Sequence, residues 1–287
     1  MTKDELLTLA ATLMEESGLN TLSAEEALTP AFVGVPLYDA PILAIGAADD
    51  PLFDGLKQPE AIGPHFRTPQ EWLPGAKSVV SLFFPLSQAV REDNRARMDW
   101  PGFGWINAKS NGMDMIDAVN ERLRAELEAL GYQAMSPIRA PQYAIVADAA
   151  RREYTSNWSE RHAAYICGLG TFGLSRGLIT KKGVAGRFTS LITDLLLPPD
   201  ARDYSGLYDY CSFCGACAKN CPAGAIDLKA GKDHVLCAAF TDRVLRESPP
   251  RSGARNPRDC CGKCQVKVPC EGRPAPPKKK GAPQSKA

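Results

Sequence analysis

The chain has 287 residues, 44% hydrophobic and 23% charged, with a formal net charge of +1 at pH 7. That composition suits a globular protein with a sizeable core, and the near-zero charge lacks the long-range positive field of a dedicated nucleic-acid binder. Neither a secretory signal nor an apolar run near the roughly 18 residues of a membrane span can be read, so a cytoplasmic protein with no membrane association is expected.

Leu6, Leu9, Ala10, Leu13 and Met14 recur at helical spacing from Lys3 to Ser17, with Gly18 where a C-terminal cap belongs. Residues 20 to 75 are rich in Pro, Gly and Asp with short apolar runs such as Pro41 to Ile45, which predicts loops and brief strands. Ser78 to Phe84 is apolar and β-branched between Pro74-Gly75 and Pro85, as a buried strand requires. Ile116, Val119, Leu123, Leu127 and Leu130 mark one face of a surface helix packed on a sheet, closed by Gly131. Asn157 followed by Glu160 predicts a capped helix through Tyr165, broken by Gly168, Gly170 and Gly173. Leu178 to Thr180 and Ser190 to Leu197 read as two more strands. Alternating strands and helices give an α/β sandwich over residues 1–200. Beyond residue 271 the sequence has no apolar periodicity, so a disordered tail is expected over 273–287, with Lys278, Lys279 and Lys280 solvated in it.

The cysteines are distributed unevenly. Residues 1 to 166 contain none, Cys167 stands alone, and the other nine fall between Cys211 and Cys270. In a reducing cytosol such thiols serve metals or catalysis before disulfides. The run CSFCGACAKNCP, Cys211 to Pro222, spaces its cysteines by two, two and three residues with proline after the last, which is the bacterial ferredoxin run. Three thiolates from one tight loop meet three corners of a 4Fe-4S cubane, while the fourth, Cys221, is aimed at a second cluster. That assigns Cys221, Cys237, Cys261 and Cys264 to one cluster and Cys211, Cys214, Cys217 and Cys270 to the other. Cys260 and Cys261 could exchange roles, although Cys261 gives the two-residue spacing to Cys264. Structural zinc prefers ligand pairs at wider separation, and clusters that only staple a thin segment are a further alternative. Residues 201–272 are therefore expected to form a small two-cluster ferredoxin-like domain.

On these cysteines the chain resembles the epoxyqueuosine reductase family, cobalamin-dependent iron-sulfur reductases related to reductive dehalogenases. The resemblance also rests on GAKSVVSLFFPLS (residues 75 to 87), on SERHAAYICGLGTFGLSRGLIT (159 to 180), and on Thr193-Asp194 with Leu197-Pro198-Pro199-Asp200. It implies a nitroreductase-like N-terminal domain holding cobalamin, with clusters passing single electrons to cobalt. It also implies a small-molecule substrate and an electron donor such as ferredoxin or flavodoxin. Gly168, Gly170 and Gly173 match the family's glycine segment beside the corrinoid, and a tight turn explains them equally. Where the family places a proton-donating aspartate this chain reads Glu153, Tyr154, Thr155, Ser156, Asn157, so Tyr154 is a candidate replacement and equally a packed tyrosine. The family's C-terminal helical-repeat domain for tRNA is not matched, so tRNA is not expected as a partner.

GLGTFG also fits a dinucleotide Gly-x-Gly-x-x-Gly pattern, but a helix precedes it and a strand follows, the reverse of what that fingerprint needs. His162 is a candidate cobalt or proton ligand and equally a satisfied polar residue. Cys167 reads as a small buried hydrophobe. The expected activity is an iron-sulfur oxidoreductase, with a non-catalytic electron-transfer or corrinoid-activating protein as the alternative.

Overall fold

The computed structural model describes residues 1–248 and 260–275. In chain order the first elements are α1 (Lys3–Glu16), β1 (Ile42–Ala47), α2 (Pro51–Gly55), α3 (Pro69–Trp72), β2 (Ser78–Pro85), α4 (Gln88–Ala96), α5 (Phe103–Ala129) and β3 (Ala134–Met135). After these come β4 (Ile145–Asp148), β5 (Glu153–Ser156), α6 (Glu160–Ile166), β6 (Gly170–Phe172), β7 (Leu178–Thr180), β8 (Gly186–Thr193), α7 (Ala216–Lys219), β9 (Ile226–Asp227), β10 (Gly231–Lys232) and α8 (His234–Glu247).

Strands β1, β2, β8 and β3 form one sheet in that order, antiparallel throughout. Alternate side chains of the strands face opposite layers. Val80, Leu82 and Phe84 join Leu43, Ile45 and Leu191 in a core shared with α1 and α5. Val79, Phe83, Ala44 and Ile192 join Phe53, Trp72, Trp158 and α6 on the other face. Cover on both faces explains why SVVSLFF carries no polar alternation although its neighbours run antiparallel. The fold is a mixed α/β arrangement, and three two-stranded antiparallel hairpins, β4-β5, β6-β7 and β9-β10, stand outside the main sheet. Among the described residues no helix is long and apolar enough to cross a membrane.

The cysteine-rich segment is tied into this body. Val244, Cys260 and Val266 enter the core built on α1 and α5. The Val184 and Ala185 N–H groups donate to the carbonyls of Cys270 and Glu271 at 2.9 and 3.2 Å. Gly183 has φ +82°, and a Cβ there would overlap the Glu271 carbonyl, so only glycine admits this strand-like contact. Buried Glu271 accepts from the Arg95 guanidinium and, at 2.7 Å, from the Lys267 N–H.

Several sequence expectations are corrected. The second helix begins at Phe103 instead of near Ile116, and it is largely buried. Its first half, FGWINAKSNGMDM, contains Gly, Asn and Ser, which are poor helix formers. Tertiary packing overrides them: a Cβ at Gly104 or Gly112 would overlap Phe32 or come within 2.5 Å of the Tyr38 ring. The strand placed at Ser190 to Leu197 runs instead from Gly186 to Thr193, because its register is set by β2, where Gly186 pairs with Pro85 and Thr193 with Ser78. Asn157 does not cap α6. Its side chain accepts from the Ala144 N–H and donates to the Gln142 carbonyl, closing the β4-β5 hairpin, and Ser159 is the N-cap residue. The tail expected from composition, including Lys278, Lys279 and Lys280, lies outside the described residues from residue 276 onward.

Candidate functional site

The loop from Cys211 to Cys217 turns through two left-handed residues, Phe213 at φ +49° and Gly215 at φ +75°, before entering α7. Such turns point successive N–H groups inward and suit an anionic centre, and the Phe213 N–H donates to Cys211 Sγ at 3.4 Å. Cys211, Cys214, Cys217 and Cys270 line one small cavity with Ile179 and Val268. Burial pushes the Cys217 and Cys270 thiols up to about 12; after burial Cys264 weighs most on Cys217, and Cys211 and Cys214 add to both. The raised Cys217 and Cys270 thiols are in the state that a cationic iron-sulfur core would reverse.

A second set meets behind the first. The Ala225 N–H donates to Cys221 Sγ at 3.3 Å. Burial raises Cys264, with Cys237 and Cys221 adding to the effect. Burial likewise pushes Cys261 up to about 12, with Cys264 and Cys237 contributing. Cys264 therefore feels Cys237 and Cys221, and Cys261 feels Cys264 and Cys237. Cys260 points into the hydrophobic core, and Cys167 is packed against Gly46 with its Sγ donating to the Val79 carbonyl at 3.5 Å. Among the described residues no three His, Cys, Asp or Glu side chains close on a point as a lone metal ion requires.

The Cys261–Cys264 turn is clasped to the body by its own middle residues. Gly262 has φ +70°, and a Cβ there would overlap the Trp105 indole. Lys263 is wholly buried, and its Nζ donates to the Asn94 carbonyl, the Asn94 side chain and the Arg97 carbonyl at 2.5, 2.7 and 2.5 Å. Burial lowers this ammonium to about 8. Asn94 in turn donates to the Cys261 carbonyl at 3.2 Å. No local pattern signals this clasp, since Asn94 and Lys263 lie 169 residues apart.

Beside the second thiol set lies a cavity of about 530 Å³ whose wall includes Ile62, Tyr154, Arg161, His162, Phe172 and His234. That volume is in the range of small-ligand sites. Helix α6 supplies Arg161 and His162, the β4-β5 hairpin supplies Tyr154, and α8 brings His234 three residues before Cys237. The α8 N-terminus is fixed to β5: His234 N–H donates to the Arg152 carbonyl at 3.0 Å, and the Tyr154 N–H to His234 Nδ1 at 3.3 Å. Burial lowers Arg161, and the nearby Cys264 and Cys237 thiols counter that shift, so this guanidinium lies between cavity and thiols. His162 is lowered to about 3 by burial with Arg161 and Arg176, and its Nδ1 is 2.8 Å from Ser159 Oγ. Behind this wall Glu160 is buried without a hydrogen bond on either oxygen, and burial raises it to about 7. Ser190 and Trp158 lie near enough to temper that rise, but the Trp158 N–H donates to Ser190 Oγ instead, at 3.0 Å.

The three glycines do not line this cavity. Gly168 has φ +98° in the turn after α6, Gly170 sits where a Cβ would overlap the Ile179 carbonyl across the β6-β7 hairpin, and Gly173 borders the first thiol cavity. GLGTFG follows a helix and enters a hairpin, so no strand-to-helix turn for a dinucleotide is built here.

The 4Fe-4S binding domain family matches residues 207–227. No curated protein matches the sequence. Among solved structures, the catabolic reductive dehalogenase NpRdhA in complex with 3-bromo-4-hydroxybenzoic acid superposes with a TM-score of 0.52 at 17% identity, over 93% of this chain and 37% of that one. An epoxyqueuosine reductase solved with an epoxyqueuosine-modified tRNA-Tyr stem loop gives 0.50 at 18% identity, over 93% and 66%. A reductive dehalogenase whose structure suggested a mechanism for B12-dependent dehalogenation gives 0.51 at 15%, over 92% and 36%. The chain thus shares the fold of epoxyqueuosine reductases and reductive dehalogenases, together with a 4Fe-4S binding segment. It spans from under two fifths to about two thirds of the length of these neighbours.

Proposed function

We propose that the chain is a two-cluster iron-sulfur oxidoreductase that delivers single electrons to an acceptor bound in the 530 Å³ cavity. The observation that carries this reading is the shared wall: Arg161 and His234 border the cavity, while Arg161 feels the Cys237 and Cys264 thiols. Cys211, Cys214, Cys217 and Cys270 would hold one cluster, and Cys221, Cys237, Cys261 and Cys264 the other. Residues 201–272 are then the cluster-bearing unit on a body, 1–200, of the nitroreductase-like kind that the resemblance implies. The clusters, once bound, supply one-electron carriage at low potential. The chain's own part is to hold eight thiolates, exclude water around the second set, and keep His162 and His234 neutral beside the acceptor. A protein donor such as a ferredoxin or flavodoxin would supply the electrons.

Cobalamin is the acceptor that the resemblance implies. The cavity has the volume for a small molecule and not for the whole of a corrinoid, and the three matched glycines are occupied by the chain's own packing. The substrate is proposed to be a small activated molecule. Since one structural neighbour was solved with a tRNA stem loop, such a stem loop belongs in the substrate screen beside small molecules.

Anaerobic reconstitution tests the reading. Two 4Fe-4S clusters, together with reduction of a cavity ligand or uptake of hydroxocobalamin with red-shifted bands, are expected. Eight irons with no ligand or corrinoid uptake at micromolar concentration would leave an electron-transfer or corrinoid-activating protein instead.

A further inference from the structure

The charges around the 530 Å³ cavity do not balance. Its lining carries three guanidiniums, Arg151, Arg161 and Arg176, against two carboxylates, Glu60 and Glu153. Glu60 is exposed, and Glu153 is already engaged by Arg151 at 2.7 Å and by Arg176 at 3.6 Å. Arg151 is further held by the Pro59 and Ala61 carbonyls at 2.7 and 3.2 Å. Arg161 has no carboxylate partner among the described residues; its guanidinium donates to the Arg176 carbonyl and otherwise faces the cavity and the second thiol set.

Burying a guanidinium without a carboxylate partner is costly, and the Cys237 and Cys264 thiols act on Arg161. Arg161 and Arg176 line the cavity together, the Arg161 guanidinium donating to the Arg176 carbonyl. Burial with Arg161 and Arg176 lowers His162 to about 3, and burial with Lys232, then Arg161 and Arg176, lowers His234 to about 4. Arg161, Arg176, His162 and His234 all line this one cavity. The opposite wall is apolar, from Leu56, Ile62 and Leu207, with Phe172 beneath the His162 ring at 4.8 Å.

We propose that this cavity is an oxyanion receptor, in which Arg161 and Arg176 hold a carboxylate or phosphoryl group of a ligand whose apolar or aromatic body lies against Leu56, Ile62 and Phe172. The inference rests on the redox reading above for the identity of the site, and it adds the substrate class. Planar guanidinium forks match such groups with two parallel hydrogen bonds, which a neutral amide cannot reproduce. The anion has two chemical sources, a small carboxylate or phosphate ester that is itself reduced, or the phosphodiester of a corrinoid side chain.

The test uses the full chain with both clusters reconstituted under anaerobic conditions. Benzoate, phenyl phosphate, neutral benzamide and hydroxocobalamin are titrated separately by calorimetry. Benzoate or phenyl phosphate is expected to bind at least tenfold more tightly than benzamide. Arg161→Gln should remove that preference while iron and labile sulfide stay at the parent level, and Arg176→Gln repeats the test on a residue outside the thiol set should Arg161→Gln lose iron. Uptake of hydroxocobalamin that depends on Arg161 or Arg176, without binding of the small anions, assigns the oxyanion to the corrinoid. Equal affinity for benzoate and benzamide, binding of no anion or corrinoid, or an unchanged preference in both variants overturns the proposal. Those outcomes leave the iron count intact, whereas absent iron would sink the redox reading and leave the anion titrations standing.

Discussion

The first thiol set, Cys211, Cys214, Cys217 and Cys270, is closed by a backbone contact to Val184 and carries an exposed member, Cys214. The second, Cys221, Cys237, Cys261 and Cys264, has no exposed member and lies against buried Lys263 and the half-buried Arg161. One set therefore meets solvent, and the other meets a cavity. In the proposed reading electrons enter through the exposed set and leave from the enclosed one, and local sequence alone would not separate them, because each set borrows thiolates from both halves of the segment.

The strongest way to break this comparison is to remove the thiol that closes the first set. Cys270→Ala is expected to lose about half of the bound iron and sulfide, as loss of one of two cubanes requires, read by metal and sulfide assay. Full iron retention would show that Cys270 is not a ligand. Next comes the clasp on the second set. Asn94→Ala removes one acceptor from Lys263 and a donor from the Cys261 carbonyl, and leaving such groups unsatisfied costs about 3 kcal/mol. A chelator should then strip the second cluster well before the first, and equal stripping rates would contradict the clasp.

Glu160 sharpens the comparison from the cavity side. Burial raises its carboxyl to about 7 from an ordinary 4.5, with Ser190, Trp158 and Arg139 acting against that rise. Between those values the folded state binds the proton more than the unfolded state, so its contribution to stability falls as pH rises from 4.5 to 7. The loss amounts to about 3 kcal/mol. Glu160→Gln should remove that slope, seen as a variant-minus-parent stability difference that grows across this window in urea titrations and is flat below it. A difference independent of pH would show that the carboxyl is not protonated in the fold. The smallest effects belong to the two cysteines outside both sets: Cys260→Ala and Cys167→Ala should keep both clusters and cost about 1 kcal/mol in unfolding experiments.

How much of this was legible depends on how far apart the cooperating residues lie. The run from Cys211 to Cys221 was readable because its spacing is local and covalent, and β2 because SVVSLFF is a continuous apolar run. The two-residue spacing to Cys264 favours Cys261 over Cys260 as the proposed ligand, and Cys260 is buried in the core cluster. The first half of α5 was not readable, because Gly104, Gly112, Asn107 and Asn111 oppose a helix until Phe32 and Tyr38 pack on it. Asn157 looked like a cap because its chemistry suits one, and only the Ala144 and Gln142 backbone groups across the β4-β5 hairpin claimed it first. The cavity was the least legible feature, since its wall is drawn from residues 55–62, 151–162, 172–176, 207–208 and 234. His162 and Tyr154 were suspected singly, but Arg161 and Arg176 became meaningful only as a pair.

The most direct measurement is elemental analysis of anaerobically purified and reconstituted chain. Two 4Fe-4S clusters require about eight iron and eight labile sulfide atoms per chain, and that is the predicted result. Stoichiometric zinc, or paired disulfides with no iron, would contradict it.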